Sequence, residues 1–290
     1  MREFVLGFGI GVSEIATREG ALAEVTQEWA SLANLFQTNL DLQQVFGDVS
    51  TSASTREAIA RDLLASRVSA FTLELLSVAV EEESPRFLLE TLLDLESVLR
   101  NEYLRGAPGF VGARRRVDGY ALAYFRLDHR ISLDAYESQL YSVSSAIGRS
   151  RELRRFLSGF GSSEESRIAL VQDLFASRVD DPVLSVLGFA AKVTKSRDVV
   201  DVLERVAAVV ARERGRRVAH LRSARPLSQE AEQRIRMTLS QSVGRDLELR
   251  CEVDPSLLGG IVAVVGDKIY DGTVRHRLDV ARLALANATD

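Results

Sequence analysis

The chain has 290 residues, of which 46% are hydrophobic and 27% charged. This length is enough for about two domains, and the composition is typical of a globular protein and excludes a disordered chain. The 37 basic and 41 acidic residues give a net charge of −4, which argues against a dedicated nucleic-acid binder, because such domains are usually basic. The single cysteine, Cys251, excludes an internal disulfide and a zinc site built from several cysteines. We expect no signal peptide and no direct membrane span, since no stretch reaches the roughly 20 apolar residues that cross a bilayer.

Charge is distributed unevenly along the chain. Residues 1–110 carry 8 basic and 17 acidic residues, a net charge of −9, whereas residues 111–290 carry 29 basic and 24 acidic residues, a net charge of +5. The two parts should therefore carry electrostatic fields of opposite sign, which influences the choice of partners.

An internal repeat organises the first two-thirds of the chain. The octet RDLLASRV at 61–68 returns as QDLFASRV at 172–179. The offset between these two octets, called the repeat offset below, persists without a gap from Leu42, which matches Leu153, to Glu102, which matches Glu213. Chance similarity between two helical segments would not keep one register over that length. We therefore predict a duplicated module.

Each copy of the module is predicted to be a helical bundle, the first over 1–105 and the second over 116–216. Apolar residues in both copies recur at the spacing of a helix face, and the whole chain contains only five prolines. Gly106 and Pro108 break helices, so we predict a linker at 106–115.

The remaining residues, 217–290, are predicted to form a small α/β domain. Alternating apolar and polar residues, a β-branched run and two Gly-containing turns are typical of strands joined by hairpins. The predicted strands lie at 218–224, 247–253, 261–265 and 268–270, with a helix at 228–243. The predicted fold class is mainly α, with two tandem helical bundles followed by a four-stranded α/β domain.

The last third of the chain carries a family pattern, in HLRSARPLSQE at 220–230 and VDPSLLGGIVAVVGDKIYDGTVRHRL at 253–278. It closely resembles the carboxy-terminal signature of the delta subunit of F-type ATP synthases, whose mitochondrial counterpart is the oligomycin-sensitivity-conferring subunit. The signature positions are Asp254, Pro255, Leu257, Gly259, Gly260, Gly266, Asp267, Asp271, Gly272 and Arg275. Residues 119–216, opening with YALAYF at 120–125, resemble the family's helical domain, and residues 1–110 look like an extra copy of it.

The resemblance implies a non-catalytic stator subunit in the peripheral stalk of a proton-translocating ATP synthase. Such a subunit links the alpha/beta catalytic head to a b-type stalk, so that rotation is coupled to ATP synthesis. The implied location is the cytoplasmic face of a bacterial plasma membrane, reached through the complex. The carboxy-terminal domain of the family grips the end of the b-type stalk.

The resemblance also implies a groove between the first and fifth helices of the bundle, which receives the amino-terminal helix of an alpha subunit. Carried onto this chain, the groove would be lined by Tyr120, Tyr124, Leu127, Val186, Leu187, Phe189 and Ala190. The alternative is that these side chains fill the core of the bundle. The first copy lacks the two tyrosines, which argues against an identical groove there.

The residues themselves favour an architectural role over catalysis. Gly259 and Gly260 permit close backbone approach, and Asp271-Gly272 suits a tight turn. A phosphate nest is the alternative for the glycine pattern, but the usual helix-opening fingerprint is absent. The three histidines form no i, i+4 pair, so we expect no metal, no cofactor and no catalytic residue. A helical-repeat scaffold unrelated to energy coupling is the alternative function.

Overall fold

The computed structural model describes residues 2–101, 110–128, 130–159, 161–193, 199–243, 247–265, 268–276 and 278. The chain forms two compact units, Met1–Val210 and Ala211–Asp290, and the boundary between them falls inside a helix. None of the helices in the described ranges is both long and apolar enough to cross a bilayer.

Twelve of the described helices fall into two sets of six. The first set is α1 (Arg2–Arg18), α2 (Leu22–Thr38), α3 (Leu40–Gly47), α4 (Ala53–Leu64), α5 (Ala70–Glu82) and α6 (Leu88–Leu99), with a 3-10 turn at Pro85–Phe87. The second set is α7 (Phe110–Leu127), α8 (Leu133–Arg149), α9 (Arg151–Leu157), α10 (Glu164–Phe175), α11 (Asp181–Val193) and α12 (Val199–Arg217). From the second helix onward, the first residues of matching helices are separated by the repeat offset seen in the sequence. The predicted duplication is confirmed.

Matching side chains begin two of the pairs of matching helices. Asn39 and Ser150 cap α3 and α9, while Ser52 and Ser163 cap α4 and α10. In each case the side-chain oxygen accepts a hydrogen bond of 3.1–3.2 Å from the backbone N–H three residues further on. Such bonds satisfy one of the free amides at a helix start. The two repeats therefore share the capping hydrogen bonds at the starts of these helices.

A buried arginine holds the start of the fourth helix in each set. The Nη1 of Arg167 donates to the carbonyl of Ser162 over 3.0 Å, and its Nε donates to the carbonyl of Ala191 over 2.8 Å. Arg56 makes the equivalent bond to the carbonyl of Thr51. Because a buried guanidinium is costly unless its N–H groups are bonded, these bonds explain how both copies accommodate an arginine at this position.

Both bundles, apart from the end of α12 beyond Val210, lie in the first compact unit and share one continuous hydrophobic core. Helix α7 begins at Phe110, so residues 110–115 are helical, although the sequence predicted them as part of the linker. The helix breakers Gly106 and Pro108 both precede that start, which allows the helix to begin earlier than expected. The rest of the predicted linker lies outside the described residues.

The second unit contains a four-stranded sheet and a helix. Its elements are β1 (Val218–Ser223), α13 (Gln229–Val243), β2 (Glu248–Val253), β3 (Ile261–Val265) and β4 (Lys268–Asp271). The strand order is β2-β1-β3-β4, with β1 and β2 parallel and the other pairs antiparallel. Its small core includes Leu221 of β1, Leu239 of α13 and Ala263 of β3. The predicted fold class, helical bundles followed by a small four-stranded α/β domain, is confirmed.

Candidate partner-binding surfaces

The seven residues predicted to line a partner groove lie on α7 and α11. Leu127 is half-buried and the other six are buried, namely Tyr120, Tyr124, Val186, Leu187, Phe189 and Ala190. The rings of Tyr120 and Phe189 stack with their centroids 4.0 Å apart and their planes within 7° of parallel. Six of the seven side chains are therefore part of the hydrophobic core of the described fold.

Helix α1 of the first repeat covers the tyrosine face of α7. The Glu14 carboxylate on α1 accepts hydrogen bonds from the hydroxyls of Tyr120 and Tyr124, the latter over 3.1 Å. One turn later, the Arg18 guanidinium lies 5.9 Å from the centre of the Tyr124 ring and donates to the Asp128 carboxylate over 2.8 Å. The binding of an external helix at this face therefore requires α1 to move. The groove itself stays a prediction.

Burial keeps these tyrosines protonated. It raises the pKa of Tyr120 well above its ordinary value, and the nearby Glu14 charge raises it further. Burial also raises the pKa of Tyr124. Both hydroxyls are therefore hydrogen-bond donors at neutral pH, and neither is poised for acid–base chemistry.

Glycines bring the backbones of α1 and α7 into direct contact. A Cβ at Gly7 would lie 2.0 Å from the carbonyl oxygen of Arg116, and a Cβ at Gly119 would lie 1.9 Å from the carbonyl oxygen of Phe4. No side chain larger than hydrogen fits at either position without backbone movement.

The two glycine contacts are related by exchange of α1 and α7, in a register one residue longer than the repeat offset. The separation in sequence between Gly7 and Gly119 equals that between Phe4 and Arg116. When Gly7 is aligned with Gly119, Phe4 aligns with Arg116. The two glycines therefore face carbonyl oxygens at aligned positions of the two helices. The α1–α7 contact therefore has the approximate twofold character of an isologous dimer interface, formed within one chain. The sequence signal that we missed is a pair of small residues four apart in each helix, at 7 and 11 and at 119 and 123.

Charge breaks this symmetry at the edge of the interface. Arg126 of α7 is almost fully buried, and its guanidinium lies 3.6 Å from the Glu74 carboxylate and 3.5 Å from the Glu81 carboxylate, both on α5. Arg61 of α4 lies 2.7 Å from the same Glu74. In the register that matches Gly7 to Gly119, the position on α1 equivalent to Arg126 is Glu14, which faces the tyrosines. The two repeats are therefore complementary in charge, and sequence analysis missed Arg126 and Glu14.

The signature glycines of the second unit close a loop against a turn. Gly259 and Gly260 have φ values of +149° and +84°, which favour glycine. A Cβ at Gly260 would lie 2.4 Å from the carbonyl oxygen of Gly272. The Gly259 carbonyl accepts a 3.0 Å hydrogen bond from the Val274 amide, and the Ile261 carbonyl accepts one of 2.9 Å from the Gly272 amide. Close backbone approach, as predicted for the paired glycines, is what the structure shows.

The signature carboxylates accept hydrogen bonds from residues in their own turns. Asp271 accepts a 2.9 Å bond from the Thr273 amide, and this bond lowers the pKa of Asp271 below its usual range. Asp254 accepts bonds from the Ser256 hydroxyl and amide, which lower its pKa likewise. The other signature positions described are Pro255 and Arg275, which are exposed, and Leu257, which is half-buried. Gly266 and Asp267 lie outside the described residues.

The described residues hold no group of three or more His, Cys, Asp and Glu side chains placed to bind a metal ion. Partial burial raises the pKa of the Cys251 thiol, and the nearby Glu232 carboxylate raises it further, so this cysteine is not an activated nucleophile. Among the described residues, the geometry consists of close helix contacts and buried charge pairs within the chain.

Most of the sequence matches a known protein family. The sequence model described as "ATP synthase delta (OSCP) subunit" matches residues 11–103 and 117–285. This chain belongs to the ATP synthase delta (OSCP) subunit family. The matched ranges include most of both helical repeats and nearly all of the α/β unit.

Curated relatives in the family have comparable lengths. The chain is 28% identical over 268 residues to "ATP synthase subunit delta" of Salinispora arenicola, covering 92% of this chain and 89% of the relative. It is 27% identical over 266 residues to the subunit of the same name in Streptomyces griseus, covering 91% and 90%. A chain in the solved mitochondrial ATP synthase of Toxoplasma gondii matches 59% of this chain and 97% of its own length, with 20% identity and a TM-score of 0.30. That likeness is too low to carry a structural argument.

Proposed function

We propose that this protein is a non-catalytic subunit of the peripheral stalk of a proton-translocating F-type ATP synthase. In this role it links the alpha/beta catalytic head to a b-type stalk, so that rotation is coupled to ATP synthesis. The observation that carries the proposal is the family match across 11–103 and 117–285. The complex would hold the protein at the cytoplasmic face of a bacterial plasma membrane.

The packing of the first unit supports a mechanical role. Helices α1 and α7 touch backbone to backbone at Gly7 and Gly119, and a single hydrophobic core extends through both repeats. Close-packed interiors have low compressibility and transmit strain. A subunit that holds the head still against a turning rotor needs this stiffness. Isolated surface ion pairs, each worth under about 1 kcal/mol, would break under the same load.

The two predicted partners are the amino-terminal helix of an alpha subunit and a b-type stalk subunit. In our proposal the α/β unit contacts the stalk. The alpha helix would contact the α7–α11 face where Leu127 is still accessible, and deeper insertion requires α1 to move, because six of the seven predicted contact residues are buried. A charge at Phe189 would lie against the Tyr120 ring and destabilise the bundle.

Affinity purification of the tagged full chain from its native membranes tests the proposal. We expect alpha, beta and b-type ATP synthase subunits to co-purify in fixed ratio, with a matched strain expressing the tag alone as control. The alternative, a scaffold unrelated to energy coupling, predicts that other proteins co-purify and that these subunits are absent. That second outcome would refute the proposed role.

A further inference from the structure

The short helix α3 and its surroundings expose apolar side chains. Among the described residues of the first compact unit, seven large apolar side chains are exposed. Five of them form what we call the α3 surface, namely Leu35, Leu40, Val45, Val49 and Phe87. Two of the five belong to α3 and one follows its C-cap residue, while the other two lie in α2 and the 3-10 turn, which both contact α3. Such a concentration differs from the single exposed leucines that are normal on soluble proteins.

The hydrophobic core does not account for the α3 surface. None of its five side chains belongs to the core or packs against it, whereas Leu42 and Phe46 of the same helix do. Leu40 is 71% exposed. The second repeat has Arg151 at the equivalent position, where α9 begins with the same kind of capping bond. The fold therefore does not require an apolar residue there.

Negative charge surrounds the α3 surface in the sequence. Residues 19–55 contain five acidic residues and no basic residue. Two of the acids, Asp41 on α3 and Asp48 at its C-cap, are exposed. Hydrogen bonds from the Ser50 hydroxyl and amide lower the pKa of Asp48, so this group is charged at neutral pH. Arg86, beside Phe87 in the 3-10 turn, offsets only part of this charge.

Apolar side chains beside acids narrow the class of the partner. Negative charge repels the phosphates of anionic lipids and nucleic acids, and a second copy of the same surface would bring like charges together. The backbones of α2 and α3 are hydrogen-bonded within helices, so a partner cannot add as a strand and has to bind through side chains. A helix with an apolar face bordered by lysine and arginine meets both conditions.

We propose that the α3 surface binds a basic amphipathic helix of a partner protein. The apolar face of that helix packs on Leu40 and its apolar neighbours, and its basic side chains pair with Asp41 and Asp48. The second repeat, with Arg151 in place of Leu40, lacks this surface. This inference does not depend on the complex that the protein joins.

The test uses the full chain and a fluorescently labelled peptide of about 18 leucine and lysine residues, whose leucines all lie on one helix face. Binding is followed by fluorescence anisotropy. The variant Leu35→Gln/Leu40→Gln/Val49→Gln should raise the Kd about tenfold or more, because it removes apolar area from the contact. A peptide in which glutamate replaces lysine should bind the unmodified chain about tenfold more weakly or worse, because its charge matches that of the surface.

Two controls test whether binding is specific. The variant Tyr141→Gln/Met237→Gln/Ile269→Gln removes three other exposed apolar side chains, from the second repeat and the α/β unit, and should bind as the unmodified chain does. A peptide of the same composition with its leucines spread over all faces should bind weakly. Circular dichroism checks that both triple variants are folded.

A zero-length cross-link locates the contact. Carbodiimide joins a lysine amine of the peptide to a carboxylate of the chain. Trypsin cuts after basic residues, so residues 19–56 stay together in one fragment. We expect mass spectrometry to find the peptide attached to this fragment, at Asp41 or Asp48. Cross-links confined to acids outside this fragment would contradict the proposal.

Other results would also overturn the proposal. The proposed surface is wrong if the unmodified chain does not bind the leucine–lysine peptide, or if the two triple variants weaken binding equally. Sedimentation that shows a dimer of the unmodified chain and a monomer of the Leu35→Gln/Leu40→Gln/Val49→Gln variant would identify a second copy as the occupant. Flotation with phosphatidylglycerol vesicles that is lost in the same variant would identify a membrane instead.

Discussion

At the scale of single residues, the contact between the repeats depends on the absence of a side chain. Gly119 lies in the middle of α7, where alanine would ordinarily stabilise the helix by about 1 kcal/mol. Here a Cβ would lie 1.9 Å from the carbonyl oxygen of Phe4, a backbone atom that cannot rotate away. The steric cost of moving α1 must therefore exceed the gain in helix propensity.

Gly119→Ala should destabilise the helical unit by about 2 kcal/mol or more. The matched control is Gly188→Ala in α11, because a Cβ there meets nothing within 4 Å. The control should be neutral or slightly stabilising. Urea unfolding followed by circular dichroism measures both, and equal stabilities would show that α1 and α7 do not touch as described.

Asp128 gives the unit a dependence on pH. Burial alone would raise the pKa of this carboxyl group, but hydrogen bonds from Arg130 and the charges of Arg18 and Arg130 outweigh that effect and lower its pKa below the usual range. Since the folded pKa lies below the unfolded one, the stabilisation is present above about pH 4 and is lost as the pH falls through the folded value.

Asp128→Asn should therefore cost about 1–3 kcal/mol at pH 7, and the difference from the unmodified chain should shrink below about pH 4. Urea midpoints measured from pH 7 down to about pH 3 test this. Asp173→Asn, at an exposed position of α10, is the control and should change little at any pH. A difference that stays constant down to the lowest pH would contradict the lowered pKa.

At the scale of elements, the charge pairs between α7 and α5 fix which face of each repeat meets the other. Arg126 is only 3% exposed, while Glu74 and Glu81 beside it are 17% and 19% exposed. Removing Arg126 takes a buried charge partner from Glu74 and Glu81, although Glu74 keeps its ion pair with Arg61. Losing a buried partner costs more than losing a surface pair.

Arg126→Met should accordingly destabilise the unit by about 3 kcal/mol. Arg2→Met is the matched control, because Arg2 is 44% exposed and pairs with Glu90 and Asp94 at the surface. That change should cost under about 1 kcal/mol. Thermal unfolding of both variants tests this prediction. A smaller effect at Arg126 than at Arg2 would show that the buried charge pairs do not stabilise the contact between the repeats.

The elements could be predicted from sequence because their signals are local. The serine caps and the alternation over Glu248–Val253 need no knowledge of distant neighbours, and the repeat offset can be read by aligning the chain with itself. The α1–α7 contact was missed because it joins residues that are far apart in the sequence. Its only sequence signal, two small residues four apart in each helix, is also common in helices that pack nothing there. For the same reason, Tyr120 and Tyr124 fitted an open groove equally well until Glu14 was seen to bond to both.

At the scale of the whole molecule, the helical part of the protein is built by duplication. The first unit combines two helical repeats around one core, and the second is a small sheet with one long helix packed against it among the described residues. The repeats share their caps and buried arginines and differ at exposed positions such as Arg151. Similar interiors with different surfaces suit a subunit that contacts several partners at once.

In the proposed function, the protein links the catalytic head to the stalk mechanically and takes no part in the chemistry. The most direct test deletes its gene, prepares inverted membrane vesicles, and measures ATP hydrolysis and ATP-driven proton pumping in the same preparation. We expect that the released and residual catalytic heads still hydrolyse ATP while proton pumping is lost, and that added full-length protein restores pumping. Pumping that persists at its normal ratio to hydrolysis without this protein would show that the protein does not couple the two activities.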